Sequence, residues 1–291
     1  MKRAAGHRIL LIGASGPIGR AVLGDLTGIH VSSYDRVVLL QQGQHHTYSS
    51  IARGNIDLTT RPSLAPWFDE EPDAVVYLAG VSAETAHIEP ALGRELHVNA
   101  FCRLVEAMSL LRLRSTVVYA SSTAVHGAQS EYATQKAQAE AFLLDGDVPG
   151  MALRFPTVLP RRNPSGRSAF LDEAVRQLSS RGGFRWPIAA DRRIRLMSSA
   201  AAARHLRTAI GIGAQAGQRV LDLPAAVATP RDLCCAVGAG APDTFVQQDI
   251  DQALAARIAD VDSSEAARLG FAEAESLDQL LIAATSALHF S

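Results

Sequence analysis

The sequence predicts an α/β fold, a doubly wound parallel sheet with a smaller C-terminal lobe. Short β-branched runs alternate with longer segments that are apolar at helical spacing, and a glycine-rich turn follows the first run. This alternation is typical of βαβ units around a parallel sheet. It stops after Phe155, where prolines and glycines interrupt the pattern and indicate a second lobe rich in loops.

The apolar runs give candidate strands and helices in order along the chain. The predicted strands are Arg8–Ile12, 36–40, 74–78, 116–120, 151–155 and 219–223. The segments 95–111 and 132–144 have the apolar spacing of helices. The 291 residues suffice for a large domain with a smaller lobe. We expect the domain to span 1–160 and the lobe 161–291, with the strand near 219–223 returning to the main sheet.

Composition and charge exclude several classes of protein. The net charge of −1 gives no basic field for nucleic acid. The first apolar run is too short to span a membrane and lacks a cleavage pattern. The three cysteines form no disulfide framework, and the nine histidines lack metal-ligand spacing. We therefore expect a cytoplasmic protein without a metal site that binds neither nucleic acid nor membrane.

A glycine-rich turn, GASGPIGR, follows the first strand and begins a helix. Glycine permits a tight turn and lets a pyrophosphate approach the backbone. Pro17 suits the first helical turn, whose free N–H groups and positive dipole end attract phosphates. The alternative is a glycine turn without a ligand. The context favours a Rossmann-type fold that binds a dinucleotide through Gly13, Ser15, Gly16, Pro17, Ile18 and Gly19.

The end of the second strand bears on the choice of cofactor. Dinucleotide sites usually place an acidic residue there, to bind the ribose hydroxyls. With the strand at 36–40, this position falls on Gln41, which carries no charge to repel a 2′-phosphate. We therefore expect NAD, with NADP as a second candidate and weak discrimination between them. Asp57 and Leu58 follow the next apolar run and are expected near the adenine.

Tyr132 and Lys136 are four residues apart in YATQK, so on a helix they share one face. A nearby ammonium favours the phenolate, which allows the tyrosine to exchange a proton with an alcohol near neutral pH. The predicted strand upstream, 116–120, leads into Ser121 and Ser122, at the edge where open α/β sheets bind ligands. A tyrosine–lysine pair at this spacing is common by chance. Its position downstream of the glycine turn favours an active site for oxidoreduction at a carbinol carbon.

Several stretches resemble the extended short-chain dehydrogenases/reductases, the NAD-dependent epimerase/dehydratase superfamily. They are GASGPIG, VVYLAGVSA, HVNA, SSTAVHG, YATQK and LRFPTV. The resemblance implies a homodimer that pairs through the helix carrying the tyrosine and the helix before it. The catalytic residues that it implies are Ser122, Tyr132 and Lys136, with Asn99 in the proton-relay and helix-shaping position. The further cofactor contacts that it implies are Leu78, Ala79, Gly80, Tyr132, Lys136, Phe155, Pro156 and Thr157.

The second lobe is similar to the D-erythronate dehydrogenase group, which oxidises a four-carbon sugar acid with NAD. The similar passages are LRFPTVLPRRNPSGRSAFLDEAV, DRRIRLMSSAAAARHLRTA, RVLDLP and ARLGF. The resemblance implies a small anionic substrate, because arginine side chains suit carboxylates. The substrate contacts that we expect are Ser82, Ser122, Thr123, Ser168 and Arg193.

Two departures from the family keep other functions open. Gln41 replaces the ribose-binding acid, and only AQSE separates Gly127 from Tyr132, where relatives carry a longer loop over the substrate. These two departures imply a substrate pocket that differs in shape from that of the relatives. One alternative is a nucleotide-sugar epimerase or dehydratase that uses its dinucleotide transiently. Another is a non-catalytic dinucleotide-binding protein, which the departures favour and the Ser-Tyr-Lys set opposes.

Overall fold

A computed structural model describes residues 8–25, 30–35, 51–55, 58–61, 63–69, 71–127, 130–159, 169–180, 183–255 and 261–289. The strands are β1 Arg8–Ile12, β2 His30–Asp35, β3 Ile51–Asn55, β4 Ala74–Tyr77, β5 Thr116–Ser122, β6 Gly150–Phe155, β7 Thr157–Leu159, β8 Arg185–Trp186, β9 Ile194–Ser198, β10 Gln218–Asp222, β11 Ala226–Ala228 and β12 Asp243–Thr244.

The α-helices are α1 Pro17–Asp25, α2 Ala83–Ile88, α3 Pro90–Arg94, α4 Ala100–Leu110, α5 Glu131–Asp145, α6 Phe170–Ser179, α7 Ser199–Ile212, α8 Pro230–Ala236, α9 Gln248–Ala255, α10 Ser264–Arg268 and α11 Leu277–His289. A π-helical segment, Glu95–Asn99, joins α3 to α4. Short 3₁₀ helices lie at Leu58–Thr60, Ala65–Phe68, Thr123–His126 and Gly213–Ala216.

The main sheet has seven parallel strands in the order β10-β6-β5-β4-β1-β2-β3. The chain builds one half outward from β1 and the other outward from β4, so the strand order reverses between these two strands. Ligands of doubly wound sheets bind at the carboxyl ends of the strands beside such a reversal. The α/β Rossmann-type fold predicted from the sequence is confirmed by this topology.

Two apolar cores cover the two faces of the main sheet. Successive residues of β1 alternate between them: Ile9 and Leu11 face the core under α1 and α7, whereas Leu10 and Ile12 face the core under α4 and α5. Both faces of the central strands are therefore buried, as parallel sheets require. This packing holds the carboxyl ends of β1, β4 and β5 in one row.

The second strand differs from its predicted position. β2 pairs with β1 in a parallel register from Arg8↔His30 to Ile12↔Tyr34. The predicted strand, 36–40, lies outside the described residues. The segment HVSSYD is more polar than RVVLL, so apolar content alone favours RVVLL as the second strand. Pairing with β1, which depends on residues distant in sequence, decides the assignment.

The second lobe has its own core. β9 pairs in parallel with β7 and antiparallel with β11, and a two-stranded sheet joins β8 to β12. Their side chains pack with α6, α8 and α11 around the fully buried Trp186. β10, although late in the chain, lies beside β6 in the main sheet. Among the described helices, none combines the length and the apolar character needed to cross a membrane.

Candidate active site

The glycine turn between β1 and α1 is set by close backbone packing. A Cβ atom on Gly13 would lie 2.6 Å from the Ala79 nitrogen, and one on Gly19 would lie 2.5 Å from the Gly13 oxygen. Gly13 also has a φ of +90°, which side-chain-bearing residues rarely adopt. A Cβ on Gly16 would meet the Gly13 oxygen at 3.5 Å, an ordinary contact. The fold therefore requires glycine at positions 13 and 19, whereas the side at Gly16 is open.

This open side faces the N-terminus of α1, which begins at Pro17. Ser15 and Pro17 are exposed, Ile18 is half-buried, and the Arg20 Nε donates to the Ser15 carbonyl at 2.6 Å. The arrangement fits a dinucleotide pyrophosphate, because free helical N–H groups and a close backbone approach occur together. This turn is therefore the candidate pyrophosphate site.

The ribose position changes with the strand assignment. β2 ends at Asp35, opposite Asn55 of β3, so an acidic residue occupies the carboxyl end of the second strand. Gln41 and Asp57 lie outside the described residues. The expectation that Gln41 contacts the ribose therefore stays a prediction, and Asp35 is a second candidate at the end of the described β2. Leu58, by contrast, is buried in a 3₁₀ helix after β3.

The turn after β4 forms the adjoining wall of the site. The Leu78 N–H donates to the Ile12 carbonyl at 2.8 Å, which fixes this turn beside the glycine turn. A Cβ on Gly80 would lie 2.7 Å from Nε2 of His97, so the chain passes against that ring. Ser82 caps α2, accepting from the Thr85 N–H at 3.1 Å. Ser82 therefore has a structural role whether or not it contacts a substrate.

Ser122 and Thr123 lie at the end of β5. The Ser122 Oγ accepts from the Ala124 N–H at 3.2 Å and caps the following 3₁₀ helix. A hydroxyl that accepts in this way retains its own proton to donate. Thr123 is buried. Ser121, the residue before Ser122, donates to the Glu140 carboxylate. The edge of β5 thus presents Ser122 while Ser121 fixes the strand to α5.

Lys136 connects α5 to this strand. Its buried Nζ donates to the Ala120 carbonyl at 2.7 Å and lies 5.7 Å from the centre of the Tyr132 ring. Burial lowers the pKa of Lys136 to about 7, against the opposing charge of Glu140. Ser130 caps α5 by accepting from the Ala133 N–H. The short connection before α5 therefore still permits Lys136 to reach β5, two residues before Ser122.

The π-helical segment, Glu95–Asn99, borders the site and is held by hydrogen bonds from two strands. Two buried strand tyrosines donate to its carbonyls: Tyr77 to Leu96 at 2.6 Å and Tyr119 to His97 at 3.0 Å. Burial raises the pKa of both tyrosines, so both hydroxyls keep their protons. Asn99 ends the segment, and its amide donates to the Glu95 carboxylate at 2.7 Å. π-Helical turns often mark functional sites, because they reorient the side chains that they carry.

His97 is a site residue that sequence reasoning missed. Its ring is buried and packs edge-on against Tyr132, with centroids 5.2 Å apart. The Val81 N–H donates to Nε2 at 3.0 Å, so Nδ1 carries the proton and donates to Gln135 at 2.9 Å. Burial and the charge of Lys136 lower the pKa of His97 to about 3, despite these hydrogen bonds. A neutral imidazole therefore links the turn after β4 to α5.

A charged cluster lies behind Ser122. Arg154 donates to both Glu140 oxygens, at 2.9 and 2.7 Å, and to Asp222 at 3.2 Å. His126 contacts the other Asp222 oxygen at 2.7 Å. These contacts join β6, β10, α5 and the 3₁₀ helix that follows Ser122. Both carboxylates therefore have cationic or imidazole partners.

The remaining predicted residues lie at the border with the second lobe. Phe155 is buried and pairs with Ser122 across β5 and β6, and Thr157 begins β7 opposite Leu196. Arg193 is exposed just before β9, and Ser168 lies outside the described residues. The structure thus brings Phe155 beside Ser122 and Thr157 close after it, and leaves Arg193 exposed.

Comparisons with known proteins agree with this geometry. The NAD dependent epimerase/dehydratase family profile matches residues 9–177. A D-erythronate dehydrogenase from Cupriavidus necator is 30% identical over 190 residues, which cover 58% of this chain and 59% of that protein. The match therefore spans less than two thirds of this relative.

Two solved structures share the fold. A nucleoside-diphosphate-sugar epimerase from Agrobacterium tumefaciens superposes with a TM-score of 0.82 at 21% identity, over 97% of this chain and 95% of that one. A GalE-like L-threonine dehydrogenase from Cupriavidus necator superposes with a TM-score of 0.80 at 17% identity, over 97% and 99%. Since the profile covers more than half of the chain, from β1 into α6, the predicted family is confirmed: this chain belongs to the NAD dependent epimerase/dehydratase family.

Proposed function

We propose that this protein is an NAD-dependent dehydrogenase of a small hydroxy acid. One observation carries the proposal: the buried Lys136 lies between the Ala120 carbonyl and the Tyr132 ring, at the edge where β5 presents Ser122. A tyrosine, a lysine and a serine in this relation suit proton exchange with a carbinol oxygen. The name of the D-erythronate dehydrogenase that matches part of the chain supports a sugar-acid substrate.

Each residue then has a defined role in the oxidation. Ser122 donates a hydrogen bond to the substrate oxygen and orients it. Tyr132, as phenolate, removes the hydroxyl proton as the carbon–hydrogen bond breaks. Lys136 stabilises that phenolate by its charge, and its contact with β5 fixes the helix. NAD, when bound, supplies the hydride acceptor, and in the reverse direction Tyr132 returns the proton.

The cofactor preference follows from the position of Asp35. A carboxylate at the end of the second strand binds the ribose hydroxyls and disfavours a 2′-phosphate. Because β2 ends at Asp35, we expect NAD to be preferred over NADP more strongly than Gln41 implied. Gly13, Gly16 and Gly19 would hold the pyrophosphate.

We further propose a cytoplasmic homodimer that pairs through α4 and α5. Leu110, at the end of α4, is 83% exposed, and Leu144, near the end of α5, is 45% exposed. A partner helix pair would remove these side chains from water, which favours association. Light scattering at micromolar concentration tests this, and a monomer would contradict it.

The activity is tested with NAD and D-erythronate by the absorbance of reduced nicotinamide. Tyr132→Phe should lower turnover by about 10²–10⁴-fold, the usual contribution of a general acid–base group, with unchanged affinity for NADH. Lys136→Met should lower both turnover and cofactor affinity. An isomerised product without net reduction would favour an epimerase. Cofactor binding without any turnover across short hydroxy acids would favour a binding protein.

A further inference from the structure

Arg195 lies on β9 at the border between the two cores. Its neighbours Ile194 and Leu196 are buried in the core of the second lobe, whereas Met197 is buried in the core of the main domain. Side chains alternate along a strand, so Arg195 shares the face of Met197, toward the main sheet.

Strand register places this face beside the catalytic edge. Leu196 of β9 pairs with Thr157 of β7, so Arg195 is level with Pro156, one residue after Phe155. Phe155 in turn pairs with Ser122 across β5 and β6. Arg195 therefore lies on the face of β9 that is turned toward the main domain, in register with the residue that follows Phe155.

The acid that acts on Arg195, Asp222, is already hydrogen-bonded to other groups. Asp222 contacts His126 at 2.7 Å and Arg154 at 3.2 Å. The Arg195 Nε is buried and, within the part of the chain that the structure describes, has no hydrogen-bond acceptor. Burial lowers the pKa of Arg195, the charge of Asp222 raises it and that of Arg193 lowers it.

A buried guanidinium donor without an acceptor is costly, and such groups in native proteins usually have a ligand or functional reason. An anion brought by a ligand would supply the acceptor that the Arg195 Nε lacks. A carboxylate suits a guanidinium particularly well, because its two oxygens match the planar set of N–H donors.

We propose that Arg195 binds the carboxylate of the substrate, while the substrate hydroxyl faces Ser122 and Tyr132. This rests on the proposed function and moves the anion contact from Arg193, which is exposed, to the half-buried Arg195, whose Nε is buried. The ligand class is a short-chain hydroxy monocarboxylate. The second lobe thereby selects acids over neutral polyols, and the main domain supplies the chemistry.

The test measures binding rather than turnover. Wild-type protein saturated with NADH is titrated by calorimetry with D-erythronate, L-threonate and D-glycerate, and with neutral erythritol for comparison. NADH cannot oxidise these ligands, so the dissociation constants are free of catalysis. We expect Arg195→Gln to weaken binding of the acids by about 10- to 100-fold, the range for a hydrogen bond to a charged group.

Two variants control this experiment. Arg193→Gln removes an exposed arginine close by and should change the dissociation constants by less than about twofold. Arg195→Lys keeps the charge but loses the planar set of donors, so it should give an intermediate loss even if Arg195→Gln folds poorly. NADH affinity and circular dichroism report folding.

The proposal is overturned if wild-type protein binds none of the three acids, or if folded Arg195→Gln and Arg195→Lys both bind them as wild type does. It is also overturned if Arg193→Gln loses as much affinity as Arg195→Gln. If acid binding depends on Arg195 but turnover assays with NAD produce no reduced nicotinamide, the anion site stands. The proposed dehydrogenase activity is then contradicted instead.

Discussion

The nucleotide side and the catalytic side of the site are built from different parts of the chain. At the glycine turn, backbone atoms contact backbone atoms, and a Cβ on Gly13 or Gly19 would overlap the main chain. On the side that carries Tyr132, side chains make the contacts: His97, Gln135 and Lys136 join four segments, the turn after β4, the π-helical segment, α5 and β5, through hydrogen bonds of 2.7–3.0 Å. The glycine turn therefore requires positions without a side chain, whereas the side that carries Tyr132 requires particular hydrogen-bonding side chains. Substitutions should therefore affect the two sides in different ways.

The largest difference is expected within the glycine turn itself. Gly19→Ala should destabilise the fold by about 3 kcal/mol or more, because its Cβ would lie 2.5 Å from the Gly13 oxygen. Gly16→Ala should fold normally, since the same atom would make an ordinary contact at 3.5 Å, yet weaken NADH binding by at least about tenfold. Urea unfolding and calorimetric titration measure the two effects. Equal stability of both variants would contradict this account of the turn.

Asp35 at the end of β2 and Gln41 are the two candidates for the ribose contact. Asp35→Ser should reduce the preference for NAD over NADP by about 10- to 100-fold, because it removes the carboxylate at the strand end. Gln41→Ala is the matched control and should leave the preference unchanged. Dissociation constants for both cofactors decide it. A larger shift in Gln41→Ala than in Asp35→Ser would restore the assignment made from the sequence.

On the catalytic side, His97 should act through the position of Tyr132. His97→Leu removes the ring contact and both hydrogen bonds, so turnover should fall by about 10- to 100-fold while NADH affinity changes little. His97→Gln retains an acceptor for Val81 and should recover part of the loss. His205→Gln is the control, because His205 is equally buried but stacks on Phe271. A similar loss of turnover in that variant would indicate a merely structural effect.

Both histidines should make the protein sensitive to acid. Burial lowers the pKa of His97 to about 3 and that of His205 to about 4, from an ordinary value of 6.5. The unfolded chain therefore takes up protons first, and their contribution to stability, complete above pH 6.5, is lost as pH falls toward 4 and 3. Each histidine should add about 1.4 kcal/mol per pH unit to the slope of the free energy of unfolding against pH. Urea unfolding between pH 7 and 5 should show smaller slopes in His97→Gln and His205→Gln, and unchanged slopes would contradict the shifts.

Local patterns in the sequence determined the family, the glycine turn and the spacing of Tyr132 and Lys136. These features depend on neighbours a few residues away, so periodicity and glycine spacing suffice to predict them. The α/β fold follows for the same reason, since each strand–helix unit has its own local pattern. The residues predicted to form the site remain predictions as to their roles.

Only the tertiary structure decided the remaining parts of the site. Asp35 lies at a strand end because β2 pairs with β1, and that register depends on residues distant along the chain. His97 reaches Tyr132 because strand tyrosines hold a π-helical turn, which has no clear signature in the sequence. Arg195 resembles the other arginines of the second lobe until the pairing of β7 with β9 brings it to the catalytic edge. In each case the deciding contact joins segments far apart in sequence, and local composition carries no information about it.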